Sequence, residues 1–244
     1  MKVIILAADL DLSLDPTTTK KPKAFLEVRG KPILVHLIEN VSKIKPTSIT
    51  VITNDLFYEE FINWSEKRKN LPPVTFLSNG ADLDYKGQGV VYDLYDLIRS
   101  SKINDQEIYL ILPCNCYFDY PLNHFLLQAL HHVPKPVIAC YDVKTKDEAK
   151  KFSVIQMDSN YHITDLKEKP ALPESTLIDA GIYLFPRGIL LLLYEYLRMQ
   201  NRNPRNLTDF VTWLVRRQAV IAVPIEGEVI DGLRYFESKG GAES

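Results

Sequence analysis

Residues 22–34 read Pro-Lys-Ala-Phe-Leu-Glu-Val-Arg-Gly-Lys-Pro-Ile-Leu, and the fold follows from what flanks this stretch on either side. Upstream, Lys-Val-Ile-Ile-Leu-Ala-Ala (2–8) is a short apolar run of the kind that becomes a buried strand. Asp9 to Lys21 is polar and turn-like. Downstream, Ile33, Leu34, Leu37, Ile38 and Val41 recur at helical spacing, and residues 48–53 return as a β-branched strand. Strand, long loop, helix and strand in that order make a βαβ unit.

The alternation continues along the chain. Residues 57–68 and 90–98 carry helical patterns, the second just after Gly87 and Gly89, while 74–77 and 108–112 read as strands. Residues 122–130 are helical in pattern and 137–141 form a strand; 152–157 and 162–168 alternate like a hairpin across Ser159-Asn160. Residues 179–185 are a further strand. Residues 189–197 are apolar on most faces and predict a buried helix; 206–217 predict an amphipathic one, and 220–223 the last clear strand. This order predicts an α/β fold with a mixed, mostly parallel sheet flanked by helices. Residues 1–239 read as one domain and 240–244 as a frayed tail. Sheets of this type bind ligands beyond the carboxyl ends of their strands. The 9–21 loop, the Cys114–Cys116 turn and Gly87–Gly89 are therefore expected around one crevice.

Composition bounds the function classes. With 46% hydrophobic and 25% charged residues, 244 residues suffice for a sizeable core. A formal charge of −2 gives no electrostatic reason to expect nucleic acid or an anionic membrane as partner. The start lacks the pattern of a signal peptide and no apolar run approaches a membrane span, so a cytoplasmic protein is expected. Cys114, Cys116 and Cys140 are an odd set without a second ligand pair for zinc, and read as reduced thiols, largely buried.

Ala7, Ala8, Leu14, Pro16, Thr18, Pro22, Lys23, Gly30, Lys31 and Pro32 fall, without a gap, where the sugar-1-phosphate nucleotidyltransferases carry the same residues in their N-terminal signature. The chain resembles that family, and the resemblance implies a Rossmann-like fold of the nucleotide-diphospho-sugar transferase type. Asp9, Asp11 and Ser13 stand where the family has Gly, Gly and Arg. Glycines there let backbone N–H groups approach a triphosphate, and the arginine adds positive charge where charge develops. A carboxylate about 5 Å from a phosphate oxygen, at an effective dielectric near 20, opposes binding by roughly 3 kcal/mol per pair of unit charges.

The resemblance extends over about residues 1–239. Asn115 occupies the place of the aspartate that binds catalytic magnesium in the family. An amide oxygen can still ligate a hard cation, without the charge that holds magnesium against its hydration shell. Glu168-Lys169-Pro170 matches the segment whose carboxylate contacts the sugar and whose lysine binds its phosphate. Asp179-Ala180-Gly181 resembles the strand beside the sugar, where Gly181 permits close approach. Asp231 fits the second magnesium ligand. The resemblance thus implies Lys23 and Asp231 as catalytic residues, Ala7, Ala8, Gly89, Glu168, Lys169 and Gly181 as substrate-binding residues, and a weakened Mg2+ site at Asn115 and Asp231. Against these stand plainer readings: Lys23 and Lys169 as solvated lysines, Asn115 and Asp231 as turn caps, and His36, His131 and His132 as structural or surface residues.

Two other readings of the aspartate loop are open to test. Asp9-Leu10-Asp11 after a strand is similar to the start of haloacid-dehalogenase phosphatases, but no later paired-aspartate motif follows and residues 22–32 stay unexplained. An EF-hand calcium loop is excluded by Leu14 at its sixth position and Lys20 at its twelfth. The family reaction joins a nucleoside triphosphate and a sugar-1-phosphate, releasing pyrophosphate. The altered loop implies weak or lost activity. The alternative is a non-catalytic sugar-phosphate-binding or regulatory subunit of such an enzyme, and on either reading a homo- or hetero-oligomer is open.

Overall fold

The computed structural model describes residues 1–8, 22–68, 72–82, 88–100, 106–199, 206–227 and the backbone of 229–231. Asp9, Asp11, Ser13, Gly87 and the 240–244 tail lie outside the described residues. In chain order the elements are β1 (Lys2–Leu6), a 3-10 turn (Lys23–Phe25), β2 (Glu27–Val28), β3 (Lys31–Pro32), α1 (Ile33–Lys43), β4 (Ser48–Thr53), α2 (Tyr58–Glu66), β5 (Val74–Ser78), α3 (Val90–Arg99) and β6 (Tyr109–Pro113). They continue with β7 (Cys116–Phe118), α4 (Leu122–Leu130), β8 (Val137–Asp142), α5 (Lys146–Ala149), β9 (Ser153–Met157), β10 (Ile163–Glu168), β11 (Leu177–Phe185), α6 (Leu192–Met199), α7 (Leu207–Val215), β12 (Ile221–Ile225) and β13 (Val229–Asp231). Strand pairing is mixed in sense and the strands are flanked by helices, as the alternation predicts.

The chain divides into two compact units, Met1–Gly87 with Leu112–Asn123 and Gly227–Ser244, and Gln88–Ile111 with His124–Glu226. In the first, β1 pairs parallel with β4, and β4 with β5. The helix face read from periodicity is the buried one: Ile33, Leu34, Leu37, Ile38 and Val41 of α1 all lie in the core. Phe61 of α2 meets Phe25 at 4.8 Å and Phe76 at 5.8 Å between ring centroids. Burying such a side chain contributes about 1.5–3 kcal/mol, and here it also pins the turn that begins at Lys23.

In the second unit, β10 pairs antiparallel with β9, β11 antiparallel with β6 and β8, and β12 parallel with β8. Phe185, Tyr196, Phe210 and Trp213 form one aromatic cluster, with centroid distances from 5.4 to 6.1 Å. It seats α7 beside β10. The helix expected over 189–197 starts later, at Leu192, because Gly188 at φ +83° breaks the backbone into a turn first. It also buries one face rather than all of them: Leu193 and Tyr196 are in the core, while Leu191 and Met199 are exposed.

Candidate functional site

In the first unit, Ala7 and Ala8 continue past β1, the Ala7 N–H donating to the Ile52 carbonyl at 2.8 Å. Asn54, fully buried at the end of β4, donates through Nδ2 to the Ala8 carbonyl at 3.4 Å, while its Oδ1 accepts from the Phe57 N–H at 3.0 Å. A buried amide satisfied on both sides fixes the backbone just where the 9–21 loop departs. Lys23 opens the 3-10 turn held by Phe25.

The Gly-Lys-Pro motif has a conformational explanation. Arg29 (φ +54°) and Gly30 (φ +77°) form the two-residue connection between β2 and β3, and two successive positive φ values mark the hairpin turn that favours glycine. Pro32 then precedes α1 with φ −55°. The Arg29 guanidinium lies 5.3 Å from the Tyr117 ring centroid and donates to its hydroxyl at 3.0 Å. His36 packs edge-on to the same ring at 4.8 Å with Nε2 2.8 Å from the Val28 carbonyl oxygen, so it is structural, as expected.

Asn115 follows β6 and precedes β7, which pairs antiparallel with β13 in a register that sets Asp231 opposite Cys116. The backbone thus brings the two expected metal-binding positions next to one another. Asn115 Oδ1 is buried and has no hydrogen-bond partner among the described residues. An orphaned buried acceptor is uncommon, and its cost of about 1–3 kcal/mol is relieved by a cation or water. Asn115 Oδ1 therefore fits a hard cation such as magnesium, at a position that the backbone sets beside Asp231. Gly227 secures the approach to β13: at φ +94°, a Cβ on it would stand 2.4 Å from Asp119 Oδ1. Cys114 and Cys140 are free and buried, as expected, whereas Cys116 is free but only half-buried; burial pushes the Cys114 thiol well above its ordinary range and the Cys140 thiol up to about 12.

In the second unit, Gly89 at φ +97° lets the chain enter α3, its carbonyl accepting from Tyr92 and Asp93. Glu168 ends β10 and Lys169 follows it, with Lys169 Nζ 3.8 Å from Glu168 Oε1. Lys169 holds φ +41°, uncommon for a residue with a side chain, and its N–H donates to the Phe152 carbonyl at 3.0 Å. Gly181 has φ +75° within β11, where the register against β8 shifts between Asp179 and Tyr183. The Gly181 N–H donates to Asp179 Oδ1 at 2.7 Å, so the aspartate shapes the bulge that the glycine makes possible.

Four polar residues form a hydrogen-bonded set that the sequence motifs do not reveal. Tyr183 OH donates to Asp179 Oδ2 at 2.6 Å, and Thr208 Oγ1 stands 3.4 Å from the same oxygen. Thr208 Oγ1 is 3.2 Å from Ser153 Oγ, which donates to Glu168 Oε2. Burial pushes the Asp179 carboxyl up to about 6, opposed by the hydrogen bonds from Tyr183, Gly181 and Thr208. Burial also raises Asp209, with a further push from Glu168. Ser153, Asp179, Tyr183 and Thr208 come from three separate segments, and only the Asp179-x-Gly181 spacing is a local signal.

A family model described as nucleotidyl transferase matches residues 2–228. The chain belongs to the nucleotidyl transferase family. The bifunctional protein GlmU of Methanocaldococcus jannaschii is 30% identical to this nucleotidyl transferase chain over 227 residues, 93% of the chain and 50% of the relative. The UTP–glucose-1-phosphate uridylyltransferase AglF of Haloferax volcanii is 25% identical over 246 residues, 100% of the chain and 95% of the relative. A bifunctional sugar-1-phosphate nucleotidylyltransferase/acetyltransferase of Sulfurisphaera tokodaii is 28% identical over 231 residues. The chain spans about half the length of GlmU and of that bifunctional relative.

Solved structures share the nucleotidyl transferase fold. A Bacillus anthracis protein assigned as a glucose-1-phosphate thymidylyltransferase, in complex with sucrose, superposes with a TM-score of 0.79 at 20% identity, over 99% of this chain and 94% of that one. A UDP-glucose pyrophosphorylase with bound UDP-glucose gives 0.74 at 18% identity, over 97% of this chain and 98% of that one. No helix among the described residues is long and apolar enough to cross a membrane.

Proposed function

We propose that the chain is a sugar-1-phosphate nucleotidyltransferase-type protein that keeps its sugar-phosphate side and binds nucleoside triphosphate weakly, so that its transfer activity is low. The observation that carries this reading is the ordered set around Glu168 and Lys169: a carboxylate oriented by Ser153, a lysine beside it, and a glycine bulge at Gly181 held by Asp179. Such a set offers hydrogen bonds to sugar hydroxyls and a cation to a phosphate. On the triphosphate side, Asp9, Asp11 and Ser13 replace two glycines and an arginine, which opposes an incoming polyanion.

In the transfer this family performs, the sugar phosphate attacks the α-phosphorus of the triphosphate and pyrophosphate leaves, with no covalent enzyme intermediate. Lys169 would hold the attacking phosphate and Lys23 would offset charge on the triphosphate. Asn115 and Asp231 would hold magnesium, which when bound neutralises charge on phosphate oxygens. Activity in the cytoplasm, without nucleic acid or membrane as partner, is part of the proposal.

A second reading is a non-catalytic sugar-phosphate-binding subunit, favoured by the acidic loop. Pyrophosphate release over a panel of nucleoside triphosphates and sugar-1-phosphates, with Mg2+, separates the two. Slow but Lys23-dependent release supports the weak enzyme, and its complete absence with sugar phosphate still bound supports the subunit. Release at the rate of an unaltered family enzyme contradicts the proposal.

A further inference from the structure

The hydroxyls between Glu168 and Asp179 are one proton short. Five oxygens stand in line: Tyr183 OH, Asp179 Oδ2, Thr208 Oγ1, Ser153 Oγ and Glu168 Oε2. They make four contacts. With both carboxylates ionised, only Tyr183, Ser153 and Thr208 bring a proton, one each. Tyr183 gives its proton to Asp179 and Ser153 gives its own to Glu168. Thr208 can serve Ser153 or Asp179, not both. Thr208 itself is only 7% exposed, while Ser153 and Asp179 are half-buried and Glu168 is exposed, so solvent reaches the Glu168 end of the line more readily than Thr208.

A fourth proton on Asp179 Oδ2 closes the line in a single direction: Tyr183 to Asp179, Asp179 to Thr208, Thr208 to Ser153, Ser153 to Glu168. We propose that Ser153 and Thr208 are positioning residues, a proton-ordered hydroxyl bridge that couples the setting of Glu168 to the protonation of Asp179. The other charged or titratable groups around Asp179 are Tyr183 on its own strand, Cys140 opposite it on β8, and Glu168 on β10 with Lys169 beside it; Asp209 on α7 is coupled to Glu168. Burial already lifts the Asp179 carboxyl to about 6, so the closing proton is bound as pH falls through about 6.

A ligand can close the line in the opposite direction. If a sugar hydroxyl donates to Glu168, the Ser153 proton is free to turn to Thr208, and the Thr208 proton turns to an ionised Asp179. The three contacts from Tyr183 to Ser153 are then filled without the extra proton, and the sugar hydroxyl replaces Ser153 as the donor to Glu168. Binding of a hydroxylated phosphate ester should therefore release a proton from Asp179. This last step rests on the sugar-phosphate reading above, whereas the coupling between Ser153 and Asp179 does not.

The test reads the Asp179 carboxyl directly, by 13C NMR titration of the full chain, with Asp179→Asn identifying the signal. Ser153 makes no hydrogen bond to Asp179, so a purely local role for its hydroxyl leaves the Asp179 midpoint where it is. The bridge instead predicts that Ser153→Ala lowers the midpoint by about half a pH unit or more, as expected for one hydrogen bond redirected to the carboxylate. Ser153→Thr should restore it. Ser153→Cys, which keeps volume but bonds weakly, should shift it in the same direction by less and serves if the alanine variant does not fold. An unmoved or raised midpoint in these variants overturns the bridge. In a second arm, glucose-1-phosphate added to the wild-type chain should lower the same midpoint. If it does not bind while the Ser153→Ala shift persists, the sugar-phosphate reading fails and the bridge stands; if it binds without moving the midpoint, ligand coupling fails.

Discussion

Replacing Asp179 by Asn should change how stability depends on pH, with a size that follows from its surroundings. The carboxyl is raised from 3.8 to about 6, chiefly by burial. A carboxyl raised in the folded state binds its proton more tightly there than in the unfolded chain. Its contribution is fully present below about 3.8 and is lost as pH rises through about 6. A shift of about 2 units corresponds to about 3 kcal/mol at 1.36 kcal/mol per unit. Asparagine removes the titration while its Oδ1 can still accept from Gly181 and its amide N–H occupies the place of the acid proton. Asp158, held low by N–H groups of His162 and Asn160, titrates in the opposite sense and loses its favourable interactions as pH falls, while Asp209, raised by burial, titrates in the same sense as Asp179. They are common to both proteins and cancel in the difference. Urea denaturation of wild type and variant between pH 4 and 8 should therefore show the wild type losing about 2–2.5 kcal/mol relative to the variant as pH rises from 4 to about 6, with the difference levelling off above that. Parallel curves over that range would refute the assignment of a desolvated carboxyl at this position.

Gly227→Ala should destabilise the chain by about 1–3 kcal/mol, because a left-handed φ and a 2.4 Å approach to Asp119 both oppose a side chain; unchanged urea midpoints would count against the described turn into β13. Asn115→Asp should tighten Mg2+ binding in calorimetric titration, since the orphaned acceptor gains charge; equal affinity would remove Asn115 from the metal site. The combined change Asp9→Gly, Asp11→Gly and Ser13→Arg should strengthen binding of a nucleoside triphosphate by at least tenfold, as two negative charges go and one positive charge arrives. Unchanged or weaker binding by a folded variant would contradict the alignment of that loop.

Much of the fold was legible because its elements are long enough to show a period. The α1 face from Ile33 to Val41 is one example, and β4 appears over the span its β-branched run predicts. The two-residue strands β2 and β3 and the three-residue strands β7 and β13 are too short for alternation to register. Their placement depends on Arg29-Gly30 and Gly227, whose backbone roles appear only with the φ angles. The site divides in the same way. Glu168, Lys169 and Gly181 are neighbours in ordered motifs, whereas Ser153 and Thr208 are ordinary residues until β9 and α7 set their hydroxyls 3.2 Å apart. The apolar run at 189–197 predicts a helix that begins earlier and is more buried than the one from Leu192, since such a run does not reveal which side faces solvent.

The central claim, that the sugar-phosphate side is kept while the triphosphate side is weakened, is tested most directly by calorimetry of one protein against both ligand classes. Sugar-1-phosphates should bind more tightly than any nucleoside triphosphate with Mg2+, and Lys169→Ala should weaken the sugar phosphate by roughly 1–3 kcal/mol, or about 5- to 150-fold. Micromolar binding of a nucleoside triphosphate, with no heat from sugar phosphates up to millimolar concentration, would contradict the account.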